Sequence, residues 1–127
     1  MKPLRILLAD DSLDNRLLVR EYLRRTAHQL DEAADGASAL DKFKAGSYDL
    51  VLMDIQMPTL DGYSAVRLIR EWEEAHQRRR TPIIALTAHT LDEAVKAAQQ
   101  AGCDMHLSKP LRKATLLRSI EMILEIG

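Results

Sequence analysis

Apolar residues in this chain come in two patterns. Short runs, broken only by Arg5, occupy residues 4–9, 50–53 and 82–86. Between them, apolar residues recur every three or four positions. A short unbroken run predicts a strand buried on both faces, as in a parallel sheet, and the spaced pattern predicts amphipathic helices. The run at residues 50–53 is the sharpest. It leads directly into Asp54, and Met57-Pro58 predicts a turn just beyond.

Taken in order, residues 4–9 predict a first strand ending in Asp10-Asp11. Asp11 or Ser12 then suits a helix N-cap, because a short oxygen-bearing side chain accepts the free amide hydrogens of the first turn. Leu13, Leu17, Leu18 and Tyr22 predict a helix to about residue 25. Residues 29–33 predict a weak strand whose Asp31 and Glu32 suit a sheet edge. Asp35-Gly36 predicts a turn, and Ala39, Leu40 and Phe43 mark a second helix stopped by Gly46. Asp61-Gly62 opens a third helix with Ala65, Leu68, Ile69 and Trp72 on one face. It fades into a polar, solvated stretch at residues 73–80, where Arg78, Arg79 and Arg80 read as loop.

Residues 82–86 predict a buried strand running into Thr87. Residues 91–101 predict a helix whose buried face is mostly small (Ala94, Val95, Ala98), followed by Gly102. Such a face buries little apolar area, so this helix is expected to be held weakly. Residues 105–108 predict a short last strand before Lys109-Pro110. Leu116, Ile120, Ile123 and Leu124 stripe a final helix. Strict alternation of strand and helix predicts one α/β domain over residues 1–127. Its five parallel strands would be doubly wound, with helices on both faces.

Totals narrow the classes. Lys and Arg number 18 against 19 Asp and Glu, so direct nucleic-acid binding driven by positive charge is not expected. Cys103 is the single cysteine, which predicts a reducing, cytoplasmic setting. The opening residues hold too few apolar positions for a signal peptide. No run reaches the roughly 20 residues of a membrane span, so membrane contact by this domain is not expected.

The chemistry gathers at one rim. Parallel strands point their carboxyl ends the same way, and ligands bind there in open α/β sheets. At those ends stand Asp10 and Asp11, Asp54, Thr87 and Lys109. Three crowded carboxylates repel one another, and a hard divalent cation such as Mg²⁺ removes that cost. A carboxylate is also a nucleophile toward phosphorus. The charged transition state then needs a metal, a fixed cation and a hydroxyl donor. Lys109 and Thr87 have those chemistries.

Ala9-Asp10-Asp11, Asp54-Ile55-Gln56-Met57-Pro58, Asp61-Gly62, Thr87-Ala88 and Lys109-Pro110 together resemble the signature of the receiver domains of two-component response regulators. The resemblance covers nearly the whole chain and implies the flavodoxin-like fold with strand order 2-1-3-4-5. It implies that Asp54 accepts a phosphoryl group from a phosphohistidine. Asp11, Asp54 and the backbone carbonyl of Gln56 would ligate Mg²⁺, with Asp10 assisting through water. Thr87 and Lys109 would contact the phosphoryl group, Pro58, Gly62 and Pro110 would shape the turns, and the Lys109-Pro110 bond would be cis. Such a domain phosphorylates itself from a donor and dephosphorylates itself, without turning over as an enzyme. The switch position three residues before Lys109, usually Tyr or Phe in the family, is His106 here.

The expected partner is a histidine kinase or a histidine phosphotransfer domain. It would dock on the rim and on Leu13, Asn15 and Arg16 of the first helix. The forms of the motifs around Asp54 and Thr87 resemble those of hybrid sensor kinases more than those of a stand-alone regulator. Other classes fit less well. A flavodoxin-like cofactor module would not place Asp10-Asp11 against a phosphate. An aspartyl-nucleophile phosphatase resembles Asp-x-Asp after the first strand, and that pattern is missing here.

Overall fold

A computed structural model describes residues 2–88 and 92–126. Strands β1 (Arg5–Ala9), β2 (Gln29–Ala33), β3 (Leu50–Asp54), β4 (Ile83–Thr87) and β5 (Met105–Ser108) alternate with helices. The helices are α1 (Leu13–Leu23), α2 (Gly36–Ala45), α3 (Gly62–Ala75), α4 (Asp92–Ala101) and α5 (Lys113–Ile126). All strands pair in parallel, in the order β2-β1-β3-β4-β5. This is the doubly wound, flavodoxin-like fold expected from the alternation.

The continuous apolar runs are explained by two cores. Leu7, Val51, Met53, Ile83 and Ala85 face α2, α3 and α4, where they meet Phe43, Val66, Ile69 and Ala98. Ile6, Leu8, Leu50, Leu52, Ile84 and Leu86 face α1 and α5, where they meet Val19, Leu23, Leu116, Ile120 and Ile123. Alternate residues of each central strand point to opposite faces, so every position must be apolar.

Several details differ from the sequence pattern. Helix α1 ends at Leu23, and its buried residues are Val19 and Leu23. Leu13 and Leu17 lie on the solvent side, 55% and 43% exposed. The leucine spacing marks the helix, and the exposure of Leu13 agrees with its place at the expected docking edge. Asp35 is the N-cap of α2, accepting from Ser38 N, and Gly36 is its first helical residue. Leu68 is exposed, whereas Glu73, expected to be solvated, is buried. Helix α4 packs through Ala98 and Ala101, with Ala94 and Val95 half-buried. Its expected first residue, Leu91, lies outside the described residues. The Lys109-Pro110 bond is cis, as expected.

Candidate functional site

Register brings the chemistry together. Ala9 pairs with Met53 and Asp54 with Leu86, so Asp10 leaves β1 beside the end of β3. Thr87 pairs with Ser108, which delivers Lys109 to the same rim. Asp10, Asp54 and Thr87 are buried, and Asp11 is exposed.

Lys109 Nζ lies 3.1 Å from Asp54 Oδ2 and 3.3 Å from Asp10 Oδ2. Asp10 Oδ1 accepts from Ser12 N at 2.9 Å, and Asp54 Oδ1 accepts from Gln56 N at 3.1 Å. Burial pushes the Asp54 carboxyl up to about 6, and the charge of Asp10 adds to the rise; Lys109 and the Gln56 amide oppose both. Removing a carboxylate from water disfavours its charged form, and one ammonium shared between two acids offsets only part of that.

One carboxylate oxygen from each of Asp10, Asp11 and Asp54 lies within 4.8 Å of the others. Among the described residues this is the one acidic group able to hold a metal ion. Hard oxygen donors with an exposed edge suit Mg²⁺, which keeps several waters when bound. Such a cation would neutralise the charge that a single lysine leaves uncompensated.

The turns around the site are tightly built. A Cβ on Gly62 would sit 2.3 Å from Asp54 O and 2.6 Å from Ile55 Cα. Only glycine lets α3 start against the loop after β3. Asp61 caps that helix through Ser64 N. Pro58 and Pro110 are exposed in the turns that follow β3 and β5. His106 is exposed on β5 and borders a groove beside Val95, Ala98 and Cys103.

One expected surface residue turns inward. Arg16 is not a free docking edge: its Nη1 donates to Asp10 O at 2.7 Å and its Nε lies 3.3 Å from Glu32 Oε1. The sequence carried no sign of this, since an arginine in a first helical turn is ordinarily solvated. A second unanticipated cluster joins Arg70, Glu73, Arg80 and Asp104 at the opposite end of the sheet. Its signal was present. Glu73 follows Ile69 by one helical turn and continues the buried stripe of α3.

The family model for the response regulator receiver domain matches residues 6–121. Probable histidine kinase 2 of Oryza sativa subsp. indica is 36% identical over 129 residues, covering 91% of this chain and 12% of that protein. The sensor protein GacS of Pseudomonas syringae pv. syringae is 35% identical over 116 residues, covering 91% of this chain and 13% of its own length. The chain thus spans a small fraction of these kinases. Among solved structures, the receiver domain of sensor histidine kinase PA1611 from Pseudomonas aeruginosa is 36% identical with TM-score 0.86, covering 98% of this chain and 99% of that one. That receiver is described with a magnesium ion in its active-site cleft. The chemotaxis protein CheY4 of Vibrio cholerae superposes with TM-score 0.87 at 29% identity, covering 96% of this chain and 99% of its own. The rim of Asp10, Asp54, Thr87 and Lys109 thus sits in a chain that belongs to the response regulator receiver domains, the receiver modules of two-component phosphorelays.

Proposed function

We propose that Asp54 is the phosphoacceptor of this receiver and takes its phosphoryl group from a phosphohistidine. The observation that carries this reading is the position of the Asp54 carboxylate. It is buried at the end of the central strand, 3.1 Å from Lys109 and within ligand distance of two further acids.

In the transfer, an Asp54 oxygen attacks phosphorus in line. An O–P bond forms, the N–P bond breaks, and the bonding electrons return to the imidazole nitrogen. The attack requires the ionised carboxylate, and a cation bound at the rim would keep Asp54 ionised where burial alone favours its proton. Lys109 and Thr87 would stabilise charge on the phosphoryl oxygens. Asp10, Asp11, Asp54 and the Gln56 carbonyl would hold Mg²⁺, which when bound supplies positive charge against those same oxygens. His106 takes the family's switch position and would respond with Thr87. The domain would act as a switch, without turnover.

The donor is a histidine kinase or a histidine phosphotransfer domain, and the parent chain is a hybrid sensor kinase. The kinase relatives, each much longer than this chain, support that parentage. The match over nearly all of CheY4 favours a second reading, a stand-alone regulator. On either reading residues 1–127 act as one cytoplasmic receiver. The donor would dock on the rim and on the exposed Leu13 and Leu17 of α1.

Mass spectrometry after incubation with acetyl phosphate and Mg²⁺ should find one added phosphoryl group, absent in Asp54→Asn. Equal uptake by Asp54→Asn would overturn the assignment.

A further inference from the structure

Two of the proposed metal ligands, Asp10 and Asp11, are consecutive, and one peptide unit joins them. The carbonyl oxygen of that peptide is the Asp10 oxygen that accepts from Arg16 Nη1 at 2.7 Å. On its other side the same guanidinium meets Glu32 on the edge strand β2, with Nε 3.3 Å from Oε1. The Arg16 side chain is only 17% exposed. Glu32 is in turn gripped by Arg20, whose Nε and Nη2 donate at 2.8 and 2.9 Å. The backbone of Arg16 is fixed as well, its amide donating to Ser12 O at 3.1 Å.

A planar guanidinium that makes one charge-assisted bond of 2.7 Å and lies against a carboxylate on its other side is held in place, and a bond of this length is a strong one. It fixes the plane of the Asp10–Asp11 peptide. The two carboxylates respond differently to that plane. Asp10 is also held by Ser12 N and Lys109. The exposed Asp11 carboxylate has no such partner among the described residues. The Ser12 amide, held by Asp10 Oδ1, fixes the peptide after Asp11, and the plane that Arg16 holds fixes the peptide before it, so Arg16 is one of two restraints on where Asp11 points.

Coulomb's law alone argues against this placement, because a guanidinium close to a cation site repels the cation. Glu32 offsets part of that repulsion. The two effects have opposite signs and can be separated.

We infer that Arg16, braced by Glu32, is a positioning residue that sets the spacing of the Asp10 and Asp11 carboxylates and so tightens Mg²⁺ binding. The inference rests on the reading of the rim as the Mg²⁺ site. It differs from that reading in making a residue outside the ligand set responsible for affinity.

Calorimetric titration of the full chain with Mg²⁺ tests it, using the wild type, Arg16→Met, Arg16→Lys and Arg20→Met. Removing an outer partner of a metal ligand costs about 10-fold or more in affinity, and Arg16→Met should lose about 10-fold. Arg16→Lys keeps the charge without the fork and should lose a smaller factor. Arg20→Met breaks a contact to the same Glu32 without touching Asp10 O, and its Mg²⁺ affinity should be that of the wild type. Mg²⁺ binding by Arg16→Met as tight as the wild type, or tighter, would overturn the inference in favour of simple repulsion. Equal losses in Arg20→Met and Arg16→Met would also overturn it, since the effect would then come from loosening α1 against β2. If Arg16→Met does not fold, Arg16→Lys decides, and wild-type affinity there counts against the proposal. A wild type that binds no Mg²⁺ would bring down the metal reading of the rim itself, and this inference with it.

Discussion

The two ends of the sheet handle buried charge in opposite ways. At the amino-terminal end of β4 and β5, Glu73 is 4% exposed, and its oxygens accept from Arg70 at 2.8 Å and Thr81 N at 2.7 Å. Arg70 places its five N–H donors on Glu73, Thr81 O, Asp104 and, twice, Gly102 O. Asp104 also accepts from Arg80 and Ile83 N. Each charge there has an opposite charge and hydrogen bonds around it, which is what a buried ion pair needs to persist. At the carboxyl-terminal rim, Asp10 and Asp54 share one lysine and Asp11 adds a third carboxylate. The first arrangement is complete as it stands. The second sets three carboxylates against one lysine, a shortage of positive charge that a bound cation would offset.

Breaking the complete end should have the largest effect on stability. Arg70→Met leaves Glu73 charged and buried without its partner, at a cost of about 3–5 kcal/mol. Urea unfolding measures this, and Mg²⁺ affinity should not change. If stability is unaffected, the network is decoration and the contrast fails.

Relieving the incomplete end should do the opposite. The Asp54 carboxyl is raised from 3.8 to about 6, so the folded state holds its proton more tightly than the unfolded state. Stability of the metal-free protein therefore falls as pH rises from about 4 to about 6 and stays low above that, by about 3 kcal/mol. Asp54→Asn removes the penalty. At pH 7.5 without Mg²⁺ the variant should be more stable than the wild type, and the gain should vanish near pH 4. A loss of stability at pH 7.5 would mean that Lys109 already satisfies the rim.

Gly62→Ala tests how closely the rim is built. Its Cβ would meet Asp54 O at 2.3 Å, so the loop must shift, at about 1–3 kcal/mol. Phosphoryl uptake should slow at the same time, because Asp54 moves with the loop.

The smallest effect is expected at His28, near the complete end. Its Nδ1 accepts from Leu4 N at 3.0 Å, and burial holds its pKa below the ordinary histidine value of 6.5. Here the unfolded state binds the proton more tightly, so the stabilisation is present above pH 6.5 and is lost as pH falls below it. The contribution should be small, because one neutral hydrogen bond is at stake. Melts of His28→Gln should lack this acidic limb.

The fold was legible because it rests on patterns of one residue type. Runs such as residues 50–53 suit a strand covered on both faces, and the five rim residues end a strand or follow one within two positions. What was not legible depends on pairing across the sequence. Arg16 reads as a solvated helix residue until Glu32, from the next strand, is placed beside it. Leu13 and Leu17 keep helical spacing on a face that stays largely exposed. Glu73 stands where the α3 stripe calls for an apolar side chain, and only the position of Arg70 and Thr81 N explains an acid there. Polar residues report partners, and partners are a property of the folded chain.

The central claim is that the rim is left short of positive charge so that a cation can complete it. Thermal unfolding of the wild type and of Asp11→Ala, with and without millimolar Mg²⁺ at pH 7.5, tests this most directly. Binding to the folded state alone stabilises by mass action, about 2.7 kcal/mol at one hundred times the dissociation constant. The account predicts a clear upward shift for the wild type and a much smaller one for Asp11→Ala. A wild-type melting temperature indifferent to Mg²⁺ would contradict it.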